Sequence, residues 1–171
     1  MLELINVCEI CNYIALEMVS NVLIDVILEN ISNYKGCYAL DEMNLLNPLS
    51  SKSTASYVIN TYEKTVYQGG HWLLCTYFPK TKQIEIFDSL GSPSLIPSTI
   101  LKHLQKYGSV LTPCPQIQGF LSNYCGLYCI SRCISISQGQ RLSKFLSNFD
   151  QNTDSNDILV KTKLIQYIDN M

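Results

Sequence analysis

Two apolar runs flanking a four-residue polar turn constrain this chain more than any other feature. Trp72 to Phe78 is rich in β-forming residues and is closed by Pro79-Lys80-Thr81-Lys82, after which Gln83 to Phe87 sets Ile84 and Ile86 in alternation with Glu85. Two such runs around a short turn predict a β-hairpin. His71 stands at the start of the first strand, directly after Gly69-Gly70, and Asp88 stands at the end of the second. With the turn centred near Pro79 and Lys80, His71 falls opposite Asp88 within a residue or two. Opposed residues share a sheet face with β-carbons about 4.5–5.5 Å apart, close enough for an imidazole–carboxylate hydrogen bond. That bond would hold one tautomer and support the charged ring. Beside this role stands a purely local one, since Asp88-Ser89-Leu90-Gly91 also has the chemistry of a turn.

Around the hairpin, periodicity predicts helices. Residues 13 to 31 carry Ile14, Val19, Val22, Leu23, Val26 and Ile27 at amphipathic spacing. Residues 35 to 50 read as loop, punctuated by Gly36 and Pro48. A helix should start near Ser98, bury Ile100, Leu101, Leu104 and Tyr107, and stop at Gly108. Val110 to Thr112 reads as a short strand and Tyr124 to Ser135 as a largely buried helix. Residues 157 to 169 form a closing helix with Ile158, Leu159, Leu164, Ile165 and Ile168 inward. This order of elements is an α+β pattern. The 171 residues fit one domain, 1–171, long enough to bury a hydrophobic core.

The helix predicted from Tyr124 begins at a nucleophile. Gln118-Gly119-Phe120-Leu121-Ser122-Asn123-Tyr124 delivers Cys125 to a helix N-terminus, where the backbone dipole and a nearby imidazolium both favour a thiolate. A side-chain amide from Gln118 or, on spacing alone, Gln116 would add an oxyanion donor to the backbone N–H of Cys125. His103 lies within the helix starting near Ser98 and reads as a structural residue at its solvated edge. Cys129 and Cys133 follow Cys125 at four-residue spacing and read as small core residues. Cys8 and Cys11 form a C-x-x-C pair without a second pair to complete a tetrahedral metal site, so they too read as packing residues and neither metal nor cofactor is expected.

The segment Ile117-Gln118-Gly119 through Cys125-Gly126-Leu127-Tyr128-Cys129 closely resembles the active-site segment of the adenovirus protease (adenain) family. There a hydrophobic residue precedes Gln-Gly, a Ser follows four positions beyond the Gln, and Cys-Gly-Leu, an aromatic and Cys complete the motif. The family's Gln stands seven residues before its Cys, which selects Gln118 over Gln116. Gly69-Gly70-His71-Trp72-Leu73 is similar to the family's histidine segment and Phe87-Asp88 to its Phe-acid pair, 17 residues beyond the His. Gly36-Cys37-Tyr38-Ala39-Leu40-Asp41 more faintly resembles the segment preceding the cleft in adenain and in SUMO proteases. The resemblance covers roughly residues 33 to 136. It implies the papain-related fold of the adenain/SUMO-protease superfamily, with a central mixed sheet and the nucleophile at the N-terminus of a buried helix. It also implies a thiol endopeptidase with Cys125, His71, Asp88 and Gln118 in its machinery, serving viral or mobile-element polyprotein or capsid maturation. The chain departs from adenain in its acid, which is Asp as in SUMO proteases, and in a shorter interval between acid and nucleophile. No cysteine matches the one that anchors adenain's activating peptide.

Trp72 resembles the aromatic lining the Gly-Gly tunnel of deubiquitinases and SUMO-type isopeptidases, making it a candidate substrate-binding residue and a ubiquitin-like protein a candidate partner; as strand sequence it serves equally as core. An acetyltransferase using the same triad and a partner-binding pseudoprotease are the remaining readings, the latter opposed by the intact set of polar residues. Hydrophobic residues make up 47% of the chain, charged residues 15%, and the formal charge is -2. Such a balance argues against a nucleic-acid grip and against DNA stimulation. Asp25 and Glu29 interrupt the apolar stretch from Val19 to Ile31, which argues against a membrane span. Met1 to Val7 lacks a basic residue, so a secretory signal is not expected. Eight cysteines are then read as reduced thiols in an intracellular setting: a virion, or the host cytoplasm or nucleus.

Overall fold

Strands buried on both faces read as nearly unbroken apolar runs, and the central strand of this chain, Trp72 to Phe78, does so. The computed structural model describes residues 10–12, 14, 19–48, 52–65 and 70–170. The strands are β1 (Tyr34–Tyr38), β2 (Ala55–Asn60), β3 (Trp72–Phe78), β4 (Gln83–Phe87) and β5 (Ser109–Leu111). They form one sheet in the order β1-β2-β3-β4-β5. β3 pairs antiparallel with β2 and β4, while β1 and β5 run parallel to their neighbours at the two edges. The sheet is therefore mixed.

Alternation along the strands builds two cores. Tyr57, Ile59, Leu73, Cys75, Ile84 and Ile86 face one side, where Met43 and Leu46 and the helix α2 (Ser98–Leu104) cover them through Ile100 and Leu104. Val58, Leu74 and Phe87 face the other side, against helices α1 (Asn21–Leu28), α3 (Cys125–Ser137), α4 (Leu142–Leu146) and α5 (Thr153–Ile168). Each large apolar side chain fully buried in this way contributes about 1.5–3 kcal/mol. α3 lies deepest, with Leu127, Tyr128, Cys129, Ile130 and Cys133 all inaccessible. Even Arg132 is buried, donating to Glu85 at 3.0 Å, Ser135 Oγ at 3.1 Å and the Gln140 carbonyl at 3.0 Å.

The hairpin occupies the predicted residues, and the Ser98 helix buries Ile100 and Leu104 as expected, with Leu101 and Tyr107 packed half-buried on the same core. Three expectations are corrected. Residues 35 to 50 are not plain loop: they complete β1 and form a 3-10 turn at Leu40–Leu45. β2 and the short α4 carry no forecast at all, although Tyr57-Val58-Ile59 is a β-type run. Within 13 to 31 Ile14 is helical, but Val19 and Ser20 are not, and α1 starts at Asn21, where the Ser20 hydroxyl accepts the Leu23 N–H at 3.2 Å; Val22 is exposed. Tyr13 and residues 15 to 18 lie outside the described residues. α5 starts at Thr153, where Asn152 caps it, and turns Asn156, Asp157, Val160, Leu164 and Ile168 inward, leaving Ile158 exposed. The early start was hidden because Asn156 and Asp157 are polar yet buried.

Candidate active site

Thr61 fixes the residue that opens the hairpin. Its hydroxyl accepts the His71 N–H at 2.9 Å, and its own N–H donates to the His71 carbonyl at 2.9 Å. Gly70 takes φ +92°, and a β-carbon there would lie 2.3 Å from Asn60 Oδ1, so the turn into His71 requires glycine. Gly69 lies outside the described residues. In the hairpin ladder Leu74 pairs with Phe87. One further step of that register sets Asp88 against Leu73, leaving His71 in the diagonal position on the same face, still within reach of long side chains. His71 Nε2 meets Asp88 Oδ1 at 2.6 Å.

Asp88 is 2% exposed, and its carboxylate is fully engaged. Oδ1 also accepts the Leu90 N–H at 2.9 Å, and Oδ2 accepts the Ser92 N–H at 3.1 Å. The turn role and the role as partner of His71 therefore coexist in one side chain. Burial disfavours the His71 imidazolium, but hydrogen bonds and charge from Asp88 and Cys125 outweigh it and raise the pKa to about 9. With Nε2 committed to Asp88, Nδ1 is the ring nitrogen left to serve Cys125.

Cys125 is the first residue of α3 and 7% exposed. No side chain caps this helix, so the N–H groups of its first turn are directed at the charge that develops on or beside the sulfur. Gly126 follows because a β-carbon there would lie 2.3 Å from Val19 Cγ1 and 3.2 Å from Trp72 Cδ1. Trp72 is half-buried and packs against the helical core, its carbonyl accepting from Cys129 Sγ at 3.4 Å.

Gln118 is 1% exposed. Its Oε1 accepts from the Ser89 hydroxyl at 2.5 Å, and its Nε2 donates to the Ser122 carbonyl at 2.8 Å, which leaves one amide hydrogen uncommitted. Gln116 differs: it is exposed, and its amide donates to the Gln118 carbonyl at 3.1 Å. His103 is half-buried and fastens its ring to the Leu46 carbonyl at 2.9 Å, a link between α2 and the 3-10 turn. Cys37, Cys75, Cys114, Cys125, Cys129 and Cys133 are free thiols. Burial pushes Cys114 and Cys133 up to about 12 and raises Cys37, Cys75 and Cys129 as well. Cys11 is half-buried and points its thiol at Asp169; Cys8 lies outside the described residues. Among the described residues no group of three or more His, Cys, Asp and Glu could hold a metal ion, and no helix is long and apolar enough to cross a membrane.

Several residues that shape the site escaped the sequence reading. Thr61, Asn156 and Asp157 anchor the segments bearing His71 and Gln118, and Ser89 and Tyr128, named only as turn and motif residues, do so through their side chains.

This architecture, a mixed sheet with the candidate nucleophile opening a buried helix, is the fold of solved Ulp1-like cysteine proteases. The chain superposes on the C-terminal Ulp1 protease domain, solved in complex with Smt3, the yeast orthologue of SUMO, with a TM-score of 0.58 and 19% identity over 92% of this chain and 80% of that one. For ASFV pS273R protease the TM-score is 0.57 at 18% identity, over 85% of this chain and 66% of that one. For ChlaDub1 from Chlamydia trachomatis it is 0.50 at 16% identity, over 69% and 60%. The chain thus spans less than two thirds of the latter two. No family model and no curated protein sequence matches.

Proposed function

We propose that the protein is a thiol endopeptidase acting on a protein or polyprotein. The observation that carries this reading is the 2.6 Å bond from His71 to Asp88 beside Cys125 on the uncapped end of α3. His71 takes the thiol proton, and Cys125 Sγ attacks the scissile carbonyl carbon. The resulting oxyanion is held by the Cys125 N–H and the uncommitted amide hydrogen of Gln118. The imidazolium gives its proton to the leaving amine, the C–N bond breaks, and a thioester remains. Water, deprotonated by His71, attacks the thioester, releases the acid and restores the thiol. Resemblance to adenain motivates a role in viral or mobile-element maturation, and free thiols fit an intracellular setting: a virion, host cytoplasm or nucleus.

Trp72 against Gly126 favours a second reading, cleavage after the Gly-Gly end of a ubiquitin-like protein, since a flat aromatic beside the nucleophile admits only a narrow tail. Peptide-library profiling beside ubiquitin-like fluorogenic substrates separates the two. Cys125→Ala and His71→Ala should each abolish turnover with the fold retained by circular dichroism. Iodoacetamide should alkylate Cys125 before Cys37, Cys75, Cys114, Cys129 and Cys133. Wild-type turnover by Cys125→Ala on any of these substrates would sink the proposal.

A further inference from the structure

The loop from Ile117 to Tyr124 has to hold the Gln118 amide still, yet beyond Gly119 none of its residues is fully buried. At its tip Phe120 is 74% exposed and Leu121 93% exposed, so apolar packing does not anchor it there. The turn after Asp88 secures its start: the Ser89 carbonyl accepts the N–H groups of Ile117 and Gln118 at 2.9 and 3.0 Å. The other side is secured from the first turns of α5, distant in sequence. Asp157 Oδ2 accepts the Gly119 N–H at 3.2 Å, and Oδ1 accepts from the Tyr128 hydroxyl at 2.8 Å. The Tyr128 hydroxyl also lies 3.1 Å from the Ile117 carbonyl, to which Asn156 Nδ2 donates at 3.0 Å. Gly119 fits closely under this clamp, since a β-carbon there would lie 2.9 Å from Asp157 Oδ2.

Asp157 is 4% exposed and belongs to none of the ion pairs among the described residues. A carboxylate buried without a cation costs stability unless hydrogen bonds satisfy it. Here those bonds come from the N–H of Gly119, the residue after Gln118, and from the Tyr128 hydroxyl on α3, while the neighbouring Asn156 holds the Ile117 carbonyl. We propose that Asp157 is a positioning residue for the oxyanion site, clamping Gly119 so that the free amide hydrogen of Gln118 is aimed at the carbonyl oxygen in the transition state. The role rests on the thiol-hydrolase reading, and Asp157 itself touches no reacting atom.

The test is a double-mutant cycle on the full chain with a cleavable peptide. Loss of one oxyanion donor costs about 10²–10³ in kcat, and that is the expected loss for Gln118→Ala with little change in KM. Asp157→Ala should lose about 10² in kcat, also with KM nearly constant, and the double variant should be scarcely worse than Gln118→Ala alone, because both changes remove one interaction. Asp157→Asn should recover most of the activity, its oxygen accepting from Gly119 and its amide facing the Tyr128 hydroxyl. Alkylation of Cys125 by iodoacetamide forms no oxyanion and should keep its wild-type rate in Asp157→Ala. Wild-type kcat in Asp157→Ala, full multiplication of the two losses, or a parallel fall in alkylation would each overturn the role. If Asp157→Ala does not fold, Tyr128→Phe keeps the ring and removes the hydroxyl that holds the Asp157 carboxylate in place; it should lose about tenfold in kcat alone, and unchanged kcat there counts against the clamp. Hydrogen exchange gives an answer independent of turnover: the Gly119 amide should exchange at least about tenfold faster in Asp157→Ala while β3 amides stay protected. A wild-type protein that cleaves no substrate ends the thiol-hydrolase reading, and an unchanged Gly119 exchange rate ends the clamp.

Discussion

Asp88 meets four demands with two oxygens and a carbonyl. It receives His71, Leu90 and Ser92 on the carboxylate and the Gly91 N–H on its main chain at 3.0 Å. Together with Cys125 it raises the imidazole pKa against the pull of burial. Because the folded pKa of about 9 lies above the ordinary 6.5, the His71 imidazolium contributes stability that is complete below pH 6.5 and lost as the pH rises through about 9. The same group sets the alkaline limb of kcat/KM, expected near pH 9. In Asp88→Asn the charge support is gone while a hydrogen bond and the turn survive, so partial activity should remain and the alkaline limb should move to lower pH. A pH–rate profile of Asp88→Asn matching wild type would reduce Asp88 to a turn former.

At the scale of elements, the site depends on segments that hold one another in place. Gly91, at φ +60°, lets the turn after Asp88 approach the chain at 115 and 116 so closely that a β-carbon would lie 2.3 Å from the Gln116 nitrogen. That approach is what brings Ser89 under Gln118. The short α4 contributes one residue of consequence. Phe145 is 5% exposed, stands edge-on to Phe87 at 5.6 Å and lies against Arg132 at 5.6 Å. It therefore seals the end of the hairpin strand that leads into Asp88. Phe145→Ala should lower unfolding stability by about 3–5 kcal/mol, as for a phenylalanine removed from a packed core; urea denaturation measures it. A loss below about 1 kcal/mol would mean that α4 is a peripheral cover.

At the scale of the whole molecule, two cores on opposite faces of one sheet fix the hairpin, and the long reach from α5 back to residue 117 adds the last constraint on the site. Net charge is -2. Steering of a polyanion requires an excess of cationic surface, so double-stranded DNA should leave kcat/KM unchanged at low and moderate salt, despite the likeness to adenain. A severalfold, salt-sensitive stimulation would reveal a local basic patch that the overall balance conceals.

The sequence by itself determined the hairpin, the helix after Pro97 and the helix opened by Cys125, because periods of 2.0 and 3.6 are local properties of a chain that is buried on known faces. The proximity of His71 and Asp88 follows from the same local arithmetic, as both end strands joined by one short turn. Only the tertiary structure decided that β2 lies between β1 and β3, that residues 34 to 38 are an edge strand, and that α5 begins early. It also decided that Asp157, 38 residues beyond Gly119, accepts that residue's N–H. A strand's neighbour and a buried carboxylate's partner are set by what packs against them. A polar residue in a helical pattern carries no local sign of whether it faces water or a distant loop.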